Sequence, residues 1–379
     1  MKNYFGAPIK KLGFGFMRLP TIAGKGNADI DYELTNKMAD KFLERGFTYF
    51  DTAFMYHGGN SEIAIRKALT ERHDRDKFQV TTKLPLWQEM TLDEMREKTQ
   101  TQFDRTGLDH FDLYFLHGIG PDKIEMMNKM KVWDYLRSLK ESGKAKNIGF
   151  SYHGDTDTLN RVLGEHSEHL DIIQLPINYL DWEALGKGQH AAALAHDVGI
   201  IVMTPIKGGA LANFTPEVAG VFKQANSSAS VASWALRFAL HLEGVVSVLS
   251  GMSDLDQVED NINIADTTGP LSDDEMAVIS KAMAEKEKIP TIPCTKCKYC
   301  LDCCPQNINT PAIIGLVNEY TLYRSFPSTK RSYEMVTEAL FGGIPAKSSQ
   351  CTECGECERH CPHGIEIIKA HKEAAELFE

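Results

Sequence analysis

Along residues 1–285, short runs of β-branched and aromatic residues alternate with longer amphipathic stretches. The runs Lys11–Phe16, Phe47–Asp51, Phe78–Lys83, Phe111–His117, Asn147–Ser151, Ile172–Pro176, Ile200–Pro205 and Val245–Ser250 read as eight strands. Helix punctuation falls between them. Asp31 to Arg45 ends at Gly46, and Asn128 to Ser142 ends at Gly143. Ser230 to Leu242 ends near Gly244. Thr91-x-x-Glu94 and Ser272-x-x-Glu275 read as capping boxes that open further helices, the first running toward Gly107. Eight strand–helix units in sequence predict a parallel (β/α)8 barrel rather than an open doubly wound sheet. Gly13-Phe14-Gly15 lacks the third glycine of a dinucleotide-binding phosphate loop and opens no helix, so its glycines predict close approach to a neighbouring strand.

The periodicity changes after residue 285. Lys286–Pro293 is charged and proline-punctuated, as at a domain junction, and all nine cysteines follow it. They form two copies of one spacing: Cys294-x2-Cys297-x2-Cys300-x3-Cys304-Pro305 and Cys351-x2-Cys354-x2-Cys357-x3-Cys361-Pro362. This run resembles that of bacterial two-cluster ferredoxins, in which three thiolates bind one [4Fe–4S] cubane and the fourth binds the other. Zinc sites space two Cys-x2-Cys pairs around a longer loop, and disulfide frameworks belong to small secreted domains. Cys303 stands as an alternative ligand to Cys304; the x3 step and the following proline favour Cys304 and leave Cys303 as a packed small residue. Pro311–Phe326 and Ser332–Leu340, between the two runs, read as helices. The expected domains are a barrel over 1–285 and a small, mainly α-helical ferredoxin-like two-cluster domain over 286–379.

Composition narrows the partners. Hydrophobic residues make up 42% and charged residues 25% of the 379, as in a soluble globular chain. The net charge of −11 argues against nucleic acid and anionic membrane. MKNYFGAPIKK lacks the apolar centre of a signal peptide, and no apolar run nears membrane-spanning length. Thiolate-bound clusters suit a reducing compartment, so the expected location is cytoplasmic.

The predicted barrel places function at the C-terminal ends of its strands. There stand Asp51 and Tyr56 after the second strand, Lys83 at the end of the third and His117 at the end of the fourth. Singly, each has a bland reading as a turn cap, a mouth cover, a solvated charge or a core group. Together, Asp51-Thr-Ala-x-x-Tyr56, Thr-Lys83-Leu and Leu-x-Phe-Leu-His117 resemble the catalytic tetrad of the aldo-keto reductases. The resemblance runs over about residues 8–266 and includes Leu12-Gly-Phe-Gly-Phe-Met-Arg18, Gly149-Phe-Ser151 and Gln174. It also includes Pro205-Ile-Lys-Gly-Gly209 and Ser250-Gly-Met-Ser253 through Asn261.

That resemblance implies an oxidoreductase acting on a carbonyl or alcohol with NADH or NADPH. Tyr56 is the acid, Lys83 the cation that favours its phenolate, Asp51 the partner of Lys83, and His117 the group orienting the substrate oxygen. Ser151 and Gln174 would hold the nicotinamide carboxamide; Met203, Pro205, Gly251, Ser253, Gln257 and Asn261 complete the expected cofactor contacts. Phe54, His57 and Trp87 flank the tetrad as substrate contacts. The chain departs from the family in having Tyr152 after the serine and Met203 where an aromatic residue stacks on nicotinamide. The 250–261 segment offers no Lys or Arg for a 2′-phosphate, which leans toward NADH; a cation from another loop could replace one, with Lys207 and Arg237 the first to consider. A redox protein is the expected partner of the clusters. Two other readings remain open at this level: an electron-transfer protein whose barrel binds another cofactor such as flavin, and a sensor that signals by cluster loss.

Overall fold

A computed structural model describes residues 4–6, 8–339 and 343–379. Eight parallel strands close into a barrel in sequence order: β1 Leu12–Gly15, β2 Tyr49–Asp51, β3 Gln79–Pro85, β4 Phe111–Ile119, β5 Ala145–Tyr152, β6 Ile172–Pro176, β7 Gly199–Met203 and β8 Val245–Ser250. The helices are α1 Tyr32–Glu44, α2 Asn60–Ile65, α3 Leu92–Thr106, α4 Ile124–Met130, α5 Val132–Glu141, α6 Thr156–His166, α7 Lys187–Ala195, α8 Pro216–Ala225, α9 Val231–Leu240 and α10 Leu255–Thr267. They continue with α11 Asp273–Glu287, α12 Thr310–Tyr323, α13 Phe326–Thr337, α14 Glu356–Arg359 and α15 Ile367–Phe378. Among the described residues no helix is long and apolar enough to cross a membrane.

The chain divides into two compact units, residues 1–206 with 233–271 and residues 207–232 with 272–379. The first holds all eight strands. Tyr49, Leu113, Phe115, Ile172, Ile201, Val246 and Leu249 fill the barrel interior, and Tyr4, Phe5 and Ile9 pack against them. A Cβ on Gly13 would come within 2.7 Å of Tyr49 and 2.8 Å of Ser247, so any side chain here would have to displace its neighbours. Both capping boxes form: Thr91 and Glu94 exchange bonds at the start of α3, and Ser272 and Glu275 at the start of α11. The helix expected over 128–142 instead breaks at Lys131, which is left-handed at φ 54°. The reason lies in the buried residues Met127 and Val132. Five residues apart on a straight helix, they would point about 140° away from each other; the break lets both face inward.

In the second unit α8 packs on α11, and α12 packs on α13 and α15. One core joins Ile308, Ile313, Leu316, Val317, Tyr333, Ala374 and Phe378; another joins Cys300, Ile314, Cys357, Ile365, Ile367 and Ala370. The helix predicted to reach Leu340 ends at Thr337, and Leu340 lies outside the described residues.

Candidate active site and cluster cavities

Parallel register brings the polar ends of β2, β3 and β4 together. Asp51 pairs with Thr81 across β2 and β3, and Lys83 pairs with Phe115 across β3 and β4. Lys83 is fully buried, and its Nζ donates to Asp51 Oδ1 at 2.6 Å and to the Thr52 carbonyl at 2.8 Å. The ammonium lies 5.0 Å from the centre of the Tyr56 ring. Tyr56 in turn meets His117 edge-to-face with ring centres 5.8 Å apart.

Burial pushes Lys83 down, but the Asp51 carboxylate and Tyr56 outweigh it and hold the ammonium above its ordinary range. On Tyr56 the balance reverses. Burial raises its pKa, and the opposing pull of Lys83 does not overcome it, so the phenol keeps its proton at neutral pH. His117 is pushed well below the usual histidine range by burial and then by the charges of Lys83, His153 and Lys123. Its Nδ1 is buried and has no hydrogen-bond partner among the described residues. A protonated phenol, a neutral imidazole and a fixed cation therefore converge on one spot.

A buried network fixes this geometry from behind. Glu62 is fully buried; its Oε1 accepts from Thr82 Oγ1 at 2.6 Å and Gln102 Nε2 at 2.9 Å, and its Oε2 from Arg105 Nη1 at 3.1 Å. Gln102 also donates to the Lys83 carbonyl at 3.0 Å, and Arg105 to the Phe54 carbonyl at 3.1 Å. The carboxylate thus ties α2, β3 and α3 to the turn that carries Tyr56. That turn runs left-handed through His57, Gly58 and Gly59, and a Cβ on Gly59 would lie 2.9 Å from the Arg105 guanidinium. Glu62→Gln is expected to lower unfolding stability by roughly 1–3 kcal/mol, since Arg105 loses its charged partner. Urea unfolding checks the value, and a cycle with Arg105→Met should be strongly non-additive.

In the second unit the cysteines line two cavities. One is lined by Cys294, Cys297, Cys300 and Cys361, with Ile314, Ile365 and Ile367 among its walls. The other is lined by Cys304, Cys351, Cys354 and Cys357, with Ile308 and Ile368. Thr310 borders both. The two loops repeat one backbone at an offset of 57 residues: Lys296 and Glu353, Lys298 and Gly355, and Asn307 and Gly364 are all left-handed.

Burial, then neighbouring thiols, pushes Cys300 up to about 11. Burial, then Glu358 and Cys351, pushes Cys357 up to about 12. Four mutually repelling thiolates in an apolar cage are stable only around a cationic core, and iron provides one. Among the described residues no three His, Cys, Asp or Glu side chains gather to hold a single ion. The donor set and the cage fit an iron–sulfur cluster. The Ile308 amide donates to Cys304 Sγ at 3.4 Å. Cys303 borders neither cavity; its thiol faces the Tyr299 and Cys300 carbonyls at 3.7 and 3.6 Å.

The model of the Aldo/keto reductase family matches residues 11–284. The chain belongs to the aldo/keto reductase family. The 4Fe-4S dicluster domain matches residues 293–366, C-terminal to the reductase match. The NADH-specific methylglyoxal reductase of Escherichia coli (strain K12) is 27% identical over 309 residues, covering 68% of this chain and 90% of that protein. Probable aldo-keto reductase 1 of Glycine max is 29% identical over 170 residues, 42% of this chain; the match spans about half of that relative, 46%. Among solved structures, an aldo-keto reductase from Bacillus halodurans (holo form) is similar with a TM-score of 0.55 and 24% identity, over 72% of this chain and 91% of that one. One from Klebsiella pneumoniae in complex with NADPH has a TM-score of 0.58 and 20% identity, over 72% and 90%. These two likenesses support the fold.

Within this reductase barrel the remaining predicted residues scatter. Ser151 and Gln174 are register partners on β5 and β6; Gln174 Nε2 donates to Asp51 Oδ2 at 3.3 Å, and Ser151 Oγ accepts from the Gly118 amide at 2.8 Å. Met203 ends β7, half-buried, followed by left-handed Thr204 and buried Pro205. Asn261 donates to Ser250 Oγ at 2.8 Å, and the Ser253 amide donates to Gln257 Oε1 at 3.0 Å. Trp87 is 52% exposed at the mouth, its ring centre 5.1 Å from that of His117. Phe54 turns instead onto α3, beneath Lys98 and Arg105. His57 is buried, with Nδ1 2.6 Å from the Asn27 carbonyl.

Two cations have no role in the sequence reading, in which Arg18 stands only as part of the opening motif. Lys123 Nζ lies 4.5 Å over the Trp87 ring and donates to the Gly118 carbonyl at 2.8 Å. Arg18 runs past Gly251, where a Cβ would meet its side chain at 3.1 Å, and its carbonyl accepts from Ser253 Oγ at 2.8 Å. The position of Arg18 just beyond β1, at the functional end of the barrel, was the available signal. Arg237 donates to the carbonyls of Gly269 and Pro270, both at 3.2 Å.

Proposed function

We propose that the barrel, residues 1–285, reduces a small carbonyl compound with NAD(P)H, and that residues 286–379 hold two [4Fe–4S] clusters that exchange single electrons with a redox protein. The observation that carries the reductase reading is the Lys83–Asp51 pair at 2.6 Å beneath Tyr56, with His117 beside it. Nicotinamide, when bound, supplies the hydride to the carbonyl carbon. Tyr56 gives its proton to the developing alkoxide, and Lys83 stabilises the phenolate left behind. Asp51 fixes Lys83, while neutral His117 donates to the carbonyl oxygen and orients it. Ser151 and Gln174 would hold the nicotinamide carboxamide. Trp87 covers the substrate from the solvent side.

In this reading Cys294, Cys297, Cys300 and Cys361 bind one cluster, and Cys304, Cys351, Cys354 and Cys357 bind the other; their grouping around two cavities supports it. The deciding experiment follows NADH oxidation by anaerobically purified protein with methylglyoxal and a panel of small aldehydes, alongside the visible spectrum. Turnover without bound flavin supports this reading; bound flavin with no carbonyl turnover overturns it.

The cofactor is expected to be NADH, or either nucleotide without preference. The 251–257 run carries Asp254 and Asp256 and no cation of its own, and two carboxylates repel a 2′-phosphate. Dissociation constants for the two cofactors at matched salt check this. A strong preference for NADPH would overturn it and assign the phosphate to Arg18.

A further inference from the structure

The two cysteine loops share a backbone but not a charge. Lys296 and Glu353 occupy the same place, each at φ 56°. Lys298 matches Gly355, and Tyr299 matches Glu356. The second cysteine of each run, Cys297 or Cys354, is exposed, so each cavity has one edge open to solvent.

Around Cys354 the charges are settled internally. Glu353 accepts from Lys372 at 2.8 Å, and Glu356 pairs with Arg359. Around Cys297, Lys296 and Lys298 are exposed and pair with no carboxylate among the described residues. Tyr299 stands beside them, 64% exposed. His363 adds to this rim, with Nε2 3.0 Å from Thr295 Oγ1. Isolated surface lysines are ordinary. Here, however, one backbone is used twice, and only one copy keeps unpaired cations and an exposed aromatic ring, in a chain whose net charge is −11. Aromatic residues are enriched at the buried centres of protein interfaces, while charged groups at the rim steer the encounter.

We infer that the Cys297 edge, formed by Lys296, Lys298 and Tyr299, is the docking surface for an acidic one-electron carrier protein. The inference rests on the cluster reading above. The lysines steer an acidic surface toward the exposed edge of the cavity, and Tyr299 supplies the apolar contact once it arrives. Such an encounter is small and salt-sensitive.

The test titrates holoprotein of verified iron content with a plant-type [2Fe–2S] ferredoxin, an acidic carrier, and reads binding by calorimetry. The dissociation constant should rise about tenfold between about 20 and 150 mM salt. Lys296→Glu with Lys298→Glu, which gives the first loop the sign of the second, should weaken binding more than about tenfold. Lys296→Arg with Lys298→Arg should retain it, and so should Glu353→Gln with Glu356→Gln. Unchanged binding by the double glutamate variant, or no binding by the wild type at low salt, overturns the inference. So does tighter binding of the basic carrier cytochrome c. A failure of the cluster reading shows separately, as protein without iron.

Discussion

Tyr56→Phe is expected to lose about 10²–10⁴-fold of carbonyl reduction, the range that a positioned general acid contributes. Nicotinamide affinity should stay nearly unchanged, because the ring remains and only the hydroxyl goes. The substitution removes the hydroxyl that hydrogen-bonds with Lys83 but keeps the ring in place against Lys83 and His117. Lys83→Met is a less clean experiment, since it strands the buried Asp51 carboxylate and confuses stability with chemistry. Steady-state kinetics with methylglyoxal and direct titration of NADH separate the two effects. Reduction at the normal rate by Tyr56→Phe would remove the tetrad from the mechanism.

The pH profile follows from the same groups. In the reduction direction the active forms are protonated Tyr56 and neutral His117. Burial raises the first against the pull of Lys83, and burial with nearby cations lowers the second. The catalytic rate in reduction should therefore stay flat from about pH 6.5 to 9 and fall only above the ordinary tyrosine value of about 10. Alcohol oxidation needs the phenolate and should rise with pH over the same span. An inflection near pH 6.5 that disappears in His117→Asn would contradict the neutral imidazole.

The barrel was legible because its strands carry local signals. Val245–Ser250 and Ile172–Pro176 are β-branched runs between helical stretches, and the structure gives both with the same ends. Strand order also told where Asp51, Tyr56, Lys83 and His117 would gather, since polar groups at the ends of successive parallel strands share one rim. The network behind them was not legible. Glu62 and Arg105 are 43 residues apart, and no period links a helix-opening glutamate to an arginine at the end of α3. Phe54 looked like a mouth residue from its place beside Tyr56, but its ring packs beneath Arg105. Neighbours in an irregular turn need not face the same way. The Lys131 break left a trace in the five-residue step from Met127 to Val132, which a helix reading of 128–142 passes over. The C-terminal helix α15 was not among the expected elements, although Ile367, Ala370, Ala374 and Phe378 are spaced to bury one face.

The cysteine variants should give the second large effect, and their pattern tests which thiols act together. Cys361→Ala removes the second run's contribution to the cavity lined by Cys294, Cys297 and Cys300; Cys304→Ala removes the first run's contribution to the cavity lined by Cys351, Cys354 and Cys357. Wild-type protein purified without oxygen should carry about eight iron and eight sulfide per chain, as two [4Fe–4S] clusters require. Each of these variants should lose at least one cluster, roughly half of that iron or more. Loss of both is the expected extreme, because each run is incomplete without the other and Thr310 forms a wall of both cavities. Cys303→Ala should keep both clusters, since its thiol faces backbone carbonyls outside either cavity. Iron and sulfide assays with electron paramagnetic resonance of the reduced protein distinguish these cases. Stoichiometric zinc with almost no iron would overturn the cluster assignment. Cluster loss in Cys303→Ala but not in Cys304→Ala would overturn only the fourth ligand, and would mean that the loop shifts by one residue when iron binds.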